Sequence, residues 1–146
     1  MPESSARALF AARLIQARQL RGLSQRALGD RMGLGKDKGS SRINRYEHQV
    51  TAIGFDNMEK LAELLDVPVA YLLADNAAMA DAILELSKAS QRQQANLALA
   101  VKGLTATPAL TKALVKVLQL TKHEQERITQ ALLGLLPDPK GKGEDA

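Results

Sequence analysis

Apolar residues recur along this chain three or four positions apart, the spacing that puts side chains on one side of a helix, and the pattern predicts an all-α protein. Phe10, Leu14 and Ala17 form the stripe of a first helix that stops at Gly22, with Arg18 on its flank. A second helix runs from Ser24 to about Met32 and buries Ala27, Leu28 and Met32. A third runs from about Ser40 to Glu47, with Ile43 inward and Tyr46 as a core residue. A fourth carries Phe55, Met58, Leu61, Ala62 and Leu65 on one core-facing stripe. Pro68 opens a short fifth helix, where a first-turn proline loses no needed donor, and Val69, Leu72 and Leu73 are expected to close the domain.

After Asp75-Asn76, a helix cap, the pattern changes. Met79, Ile83 and Leu86 form one stripe, Leu97, Val101 and Leu104 a second, and Leu110, Leu114, Val117 and Leu118 a third. Thr105-Ala106-Thr107-Pro108 breaks the run. The clearest signal is Thr121-Lys122-His123-Glu124, a capping box ahead of Ile128, Leu132 and Leu135. Short helices with apolar stripes and almost no aromatics make a poor core alone, so residues 77–136 are expected to pack against a second copy. Residues 137–146, rich in Pro, Gly and charge, read as a disordered tail.

Two stretches carry candidate chemistry. In Leu23-Ser24-Gln25, Ser24 can accept from unpaired amides of the helix it opens, and Gln25 stands at that helix's positive end, where a phosphate is favoured. In Ser40-Ser41-Arg42-Ile43-Asn44-Arg45-Tyr46-Glu47, small polar residues and arginines surround one buried aliphatic. A helix that buries one side while offering donors to base edges needs that composition.

These residues resemble the Cro and phage-repressor-like regulators, the XRE family, over roughly residues 8–76. The likeness includes Leu20-Arg21-Gly22-Leu23-Ser24-Gln25, then Leu28-Gly29 and Gly33-Leu34 where two helices approach closely. It continues through Ile43-Asn44-Arg45-Tyr46-Glu47 and ends in the block from Met58 to Pro68. It implies a five-helix lambda-repressor-like helix-turn-helix domain followed by a small C-terminal helical region. It also implies an ion pair between Arg18 and Glu47 that fixes orientation more than it adds stability. The chain departs from the family in a long connection, Gly33 to Gly39, where three or four residues are usual. Gln49 stands where relatives often have glycine, and Ile53 where they have proline.

Charge sharpens the picture. Ten basic and three acidic residues lie between Arg7 and His48, whereas one lysine faces five carboxylates between Gln49 and Asn76. Positive charge therefore collects where a polyanion would lie. The 146 residues suffice for one core or two small ones, and 3% aromatic content with no Trp means packing by Leu, Ala, Ile and Val. With no cysteine, disulfides and thiolate metal sites are excluded. No apolar run approaches the length of a membrane span, and Met1-Pro2-Glu3-Ser4-Ser5 lacks the hydrophobic region of a signal peptide, so a cytoplasmic location is expected. Enzymatic chemistry has little to stand on. His48 and His123 have no metal-ligand spacing around them, Glu124 and Glu126 are ordinary helix surface, and Ser87-Lys88 are adjacent on a helix and splayed apart.

The expected organisation is a DNA-binding domain over residues 1–76, a helical oligomerisation region over 77–136 and the tail. The expected function is a dimeric repressor, not an enzyme, that binds a double-stranded operator with an inverted repeat, without cofactor, metal or membrane. Ser40, Ser41, Arg42, Asn44 and Arg45 would read base edges. Gln25, Lys36, Lys38 and the amides near Gly54 and Phe55 would hold phosphates. Two other readings share the fold: an antitoxin whose C-terminal helices cap a toxin while the front half represses their operon, and an adaptor that binds protein.

Overall fold

The computed structural model describes residues 5–35 and 38–136, and all regular elements among them are helical. They are α1 (Ala6–Leu20), α2 (Gln25–Arg31), α3 (Lys38–Glu47), α4 (Phe55–Leu65), a 3-10 helix (Val69–Leu73), α5 (Ala77–Ser87), α6 (Gln91–Ala106), α7 (Pro108–Leu118) and α8 (Lys122–Leu135). Lys36, Asp37 and the expected tail at 137–146 lie outside the described residues. The chain divides into two compact units, residues 1–95 and 96–146. Among the described residues no helix is long and apolar enough to cross a membrane.

The first unit is built on the stripes read from the sequence. Leu14, Leu28, Ile43, Leu61, Leu65 and Leu72 are all fully sealed, and Phe10 meets Tyr46 edge-on with ring centroids 6.2 Å apart. Ser5, Ser24 and Asn76 open α1, α2 and α5 by accepting from the amides of Ala8, Ala27 and Met79. The helices stop by a shared device. After α1, Gly22 lies at φ +62°, with its amide on Gln19 O and the Leu23 amide on Arg18 O, a Schellman closure. The same closure follows α3, where the left-handed position is held by Gln49 at φ 61°.

Arginines then tie the ends together. Arg13 donates through Nε to Ala74 O at 3.2 Å, linking α1 to the end of the 3-10 helix. Arg21 donates to Leu65 O at 2.7 Å and to Asp66 O at 2.6 Å, covering the last carbonyls of α4.

Three details differ from the sequence expectation. Phe55 is 83% exposed instead of core, because it stands at the first position of α4, one turn before Met58, where the core begins. Val69 and Leu73 are exposed, and the domain is closed by Tyr71, Leu72 and Ala74 because the segment winds as a 3-10 helix with a tighter period. The first unit also reaches past Asn76: Ala80 is fully buried and Ile83 and Leu84 pack on the core, so α5 belongs to this body.

Among its described residues the second unit has helices without a core. Its α7 and α8 pack together, and α8 opens with the Thr121–Glu124 capping box. Among its described residues none is buried, and Leu99, Leu110, Leu118, Leu132 and Leu135 are all more than half exposed.

Candidate nucleic-acid interface

The position of α3 is set by two glycines. A Cβ placed on Gly29 of α2 would come within 2.3 Å of the Gly39 carbonyl carbon, and one on Gly39 within 2.7 Å of the Gly29 carbonyl carbon. The two backbones therefore touch directly, which only glycine at both positions allows. Gly39 must lie within the helix for this contact, and α3 accordingly begins at Lys38, two residues before the expected Ser40. Gly33, expected at the same close approach, instead ends α2 at φ +74° with open space where a Cβ would be.

That contact, with Ile43 and Tyr46, fixes which side of α3 faces inward. Ser41, Arg42, Asn44 and Arg45 are exposed, whereas Ser40 is half-buried beside Gly39. Lys38 is exposed in the first turn. His48, just after the helix, falls in line with Ser41 and Arg45 at helical spacing and is also exposed, with Nδ1 2.9 Å from Asn44 O. His48 is absent from the base-reading residues expected from the sequence, and its spacing from Ser41 and Arg45 is the signal that places it on this face.

Behind the outward side lies a polar cluster. Arg18 binds Glu47 in a two-pronged ion pair, Nε to Oε1 at 2.6 Å and Nη2 to Oε2 at 3.0 Å, and its Nη1 donates to Leu23 O at 2.8 Å. The Glu47 side chain is only 3% exposed. Gln25 donates through Nε2 to Glu47 Oε2 at 2.6 Å and accepts from Asn44 Nδ2 at 3.4 Å. The Gln25 side chain is thus turned toward α3 in the free protein. One amide N–H is committed to Glu47, and Asn44 is linked through Gln25 to the ion pair.

Beside α3 runs an open groove whose walls include Lys38, Arg42 and Arg45 on one side and Thr51, Ala52 and Gly54 on the other. Arg45 donates through Nε to Thr51 Oγ1 at 3.0 Å, which orients its guanidinium along the groove. Among the described residues the Arg42 side chain has no hydrogen-bond partner. At the far wall α4 starts with Gly54, which has no side chain to cap the first amides, so the N–H groups that follow, Phe55 first, are open to an external acceptor. Lys36 lies outside the described residues, and Gly54, Lys38, Arg42 and Arg45 are brought to one groove.

A paired helix with glycine-mediated contact, an ion pair at its back and a cationic outer side defines a helix-turn-helix domain. A helix-turn-helix family model matches residues 14–72. The chain is 32% identical to the crystal structure of transcriptional regulator BswR, with a TM-score of 0.58 over 66% of this chain and 96% of that one. No curated protein matches it. The chain belongs to the XRE family of helix-turn-helix transcriptional regulators.

Proposed function

We propose that this protein is a repressor that binds double-stranded DNA in sequence-specific fashion, with α3 in the major groove. The observation that supports this most is the outward side of α3: Ser41, Arg42, Asn44 and Arg45 are exposed together beside a groove that ends at the uncapped start of α4. Arg42 and Arg45 present bidentate donors suited to guanine, and Ser41 and Asn44 serve either base or phosphate. Ser40 acts from the flank. Lys36, Lys38, the amides at Gly54 and Phe55 and the second N–H of Gln25 hold phosphates and set register. The pair of Arg18 and Glu47 keeps α3 at its angle to α1.

The repressor acts as a homodimer through residues 96–136, the part of the expected 77–136 region that lies outside the first unit. Helices that leave their leucines in water do not offset the entropy of ordering, and a second copy supplies the missing cover. Two α3 helices about 34 Å apart then meet an inverted repeat on one side of the duplex. Occupancy of a promoter blocks transcription, and no enzymatic step is needed.

Binding measurements on a preferred duplex at several salt concentrations test the reading. Arg42→Ala or Arg45→Ala should remove discrimination at particular base pairs, by about 1–3 kcal/mol each. Lys36→Ala or Lys38→Ala should weaken all duplexes alike and flatten the salt slope by about one unit. If the arginine variants keep the wild-type sequence preference, α3 is not the reader. Sedimentation showing only a 15.8 kDa species at micromolar concentration would remove the dimer.

A further inference from the structure

The chain has four aromatic residues, and three are sealed in the first core: Phe10, Tyr46 and Tyr71 are each less than 5% exposed. The fourth, Phe55, is 83% exposed. Its ring covers none of the core that Met58, Leu61 and Leu65 of the same helix fill. It follows Gly54 directly, and Gly54 lines the groove opposite Lys38, Arg42 and Arg45. The partner that suits those cations is a polyanion, and the amides beside the ring favour a phosphate. The wall of a DNA major groove beside the backbone offers an apolar ring one distinctive group, the 5-methyl of thymine.

We propose that the Phe55 ring contacts a thymine 5-methyl next to the phosphate held at the start of α4. The ring thereby adds a non-ionic element of sequence selection that the arginines do not supply. This rests on the reading of α3 and its groove as the DNA face.

The test replaces each thymine of the preferred duplex, one at a time, by deoxyuridine, which removes only the methyl. Dissociation constants are measured for wild type, Phe55→Ala and Arg42→Ala at several salt concentrations. At one thymine of each half-site the wild type should lose about fourfold in affinity, the worth of one buried methyl group. Phe55→Ala should show no difference between thymine and uracil there. It should also keep the wild-type salt slope, and, because the ring is exposed, the wild-type melting temperature. Three results overturn the proposal: no position sensitive to the methyl, a Phe55→Ala protein that binds as tightly as wild type, or one that loses equally on both bases. In each of these Arg42→Ala still alters sequence preference. Loss of all sequence preference in the wild type would instead remove the DNA reading itself.

Discussion

Substitution of Gly29 by alanine puts the helix contact under direct strain. The new methyl would sit 2.3 Å from the carbonyl carbon of Gly39, 2.5 Å from its Cα and 2.7 Å from its oxygen. Ordinary carbon contacts start near 3.5 Å, so α2 and α3 must part by roughly 1 Å. No flexible side chain can yield, because every atom met is backbone. The movement also loosens Leu28 and Ile43, which are fully buried on either side. Against this, Gly→Ala inside a helix gains about 0.5–1 kcal/mol from propensity. Overpacking in a close-packed core costs about 1–3 kcal/mol and sometimes more, so the net effect is a loss of about 1–2 kcal/mol. Urea denaturation followed by circular dichroism reads the difference. Gly103→Ala in α6 is the internal control, since nothing lies within 4 Å of its added methyl and it should be neutral or stabilising. A Gly29→Ala protein as stable as wild type would show that the two backbones do not touch.

Other perturbations probe separate parts of the structure. Arg18→Ala leaves the nearly sealed Glu47 carboxylate with Gln25 alone and should cost about 3–5 kcal/mol in denaturation, much of it recovered when Glu47 is replaced by leucine in the same chain. Gln49→Gly relieves a left-handed residue and should raise stability by about 1 kcal/mol, with a small rise in melting temperature. Burial raises the Tyr71 hydroxyl above its usual value, assisted by Asp81 and opposed by Arg13 and Arg21. The fold thus favours the neutral phenol: its contribution is complete below the ordinary tyrosine pKa of about 10 and declines as pH rises through and above it. Tyr71→Phe should show a shallower alkaline loss of stability than wild type.

Much of the first unit was legible because its signals are local. Ser24 and Asn76 as caps, Gly22 as a stop and the 3.6-residue stripes through Leu14, Leu28, Ile43 and Leu61 each depend on a few neighbours in sequence. Phe55 was misplaced because a stripe gives the angle around a helix and not where the body beneath it ends. Tyr71 and Ala74 were missed because a 3-10 turn shifts the inward positions away from α-helical spacing. The earlier start of α3 and the inclusion of α5 are tertiary effects, set by the Gly29–Gly39 contact and by the burial of Ala80. In the interface, the outward side of α3 could be read from composition, whereas the link from Gln25 to Glu47 needed three helices in place.

Selection of bound duplexes from a random library near physiological salt tests the central claim most directly. Wild type should enrich one sequence, arranged as an inverted repeat, and Arg42→Ala and Arg45→Ala should each lose preference at particular positions within it. A wild-type selection that enriches nothing, or arginine variants that enrich the same sequence unchanged, would contradict the assignment of base reading to α3.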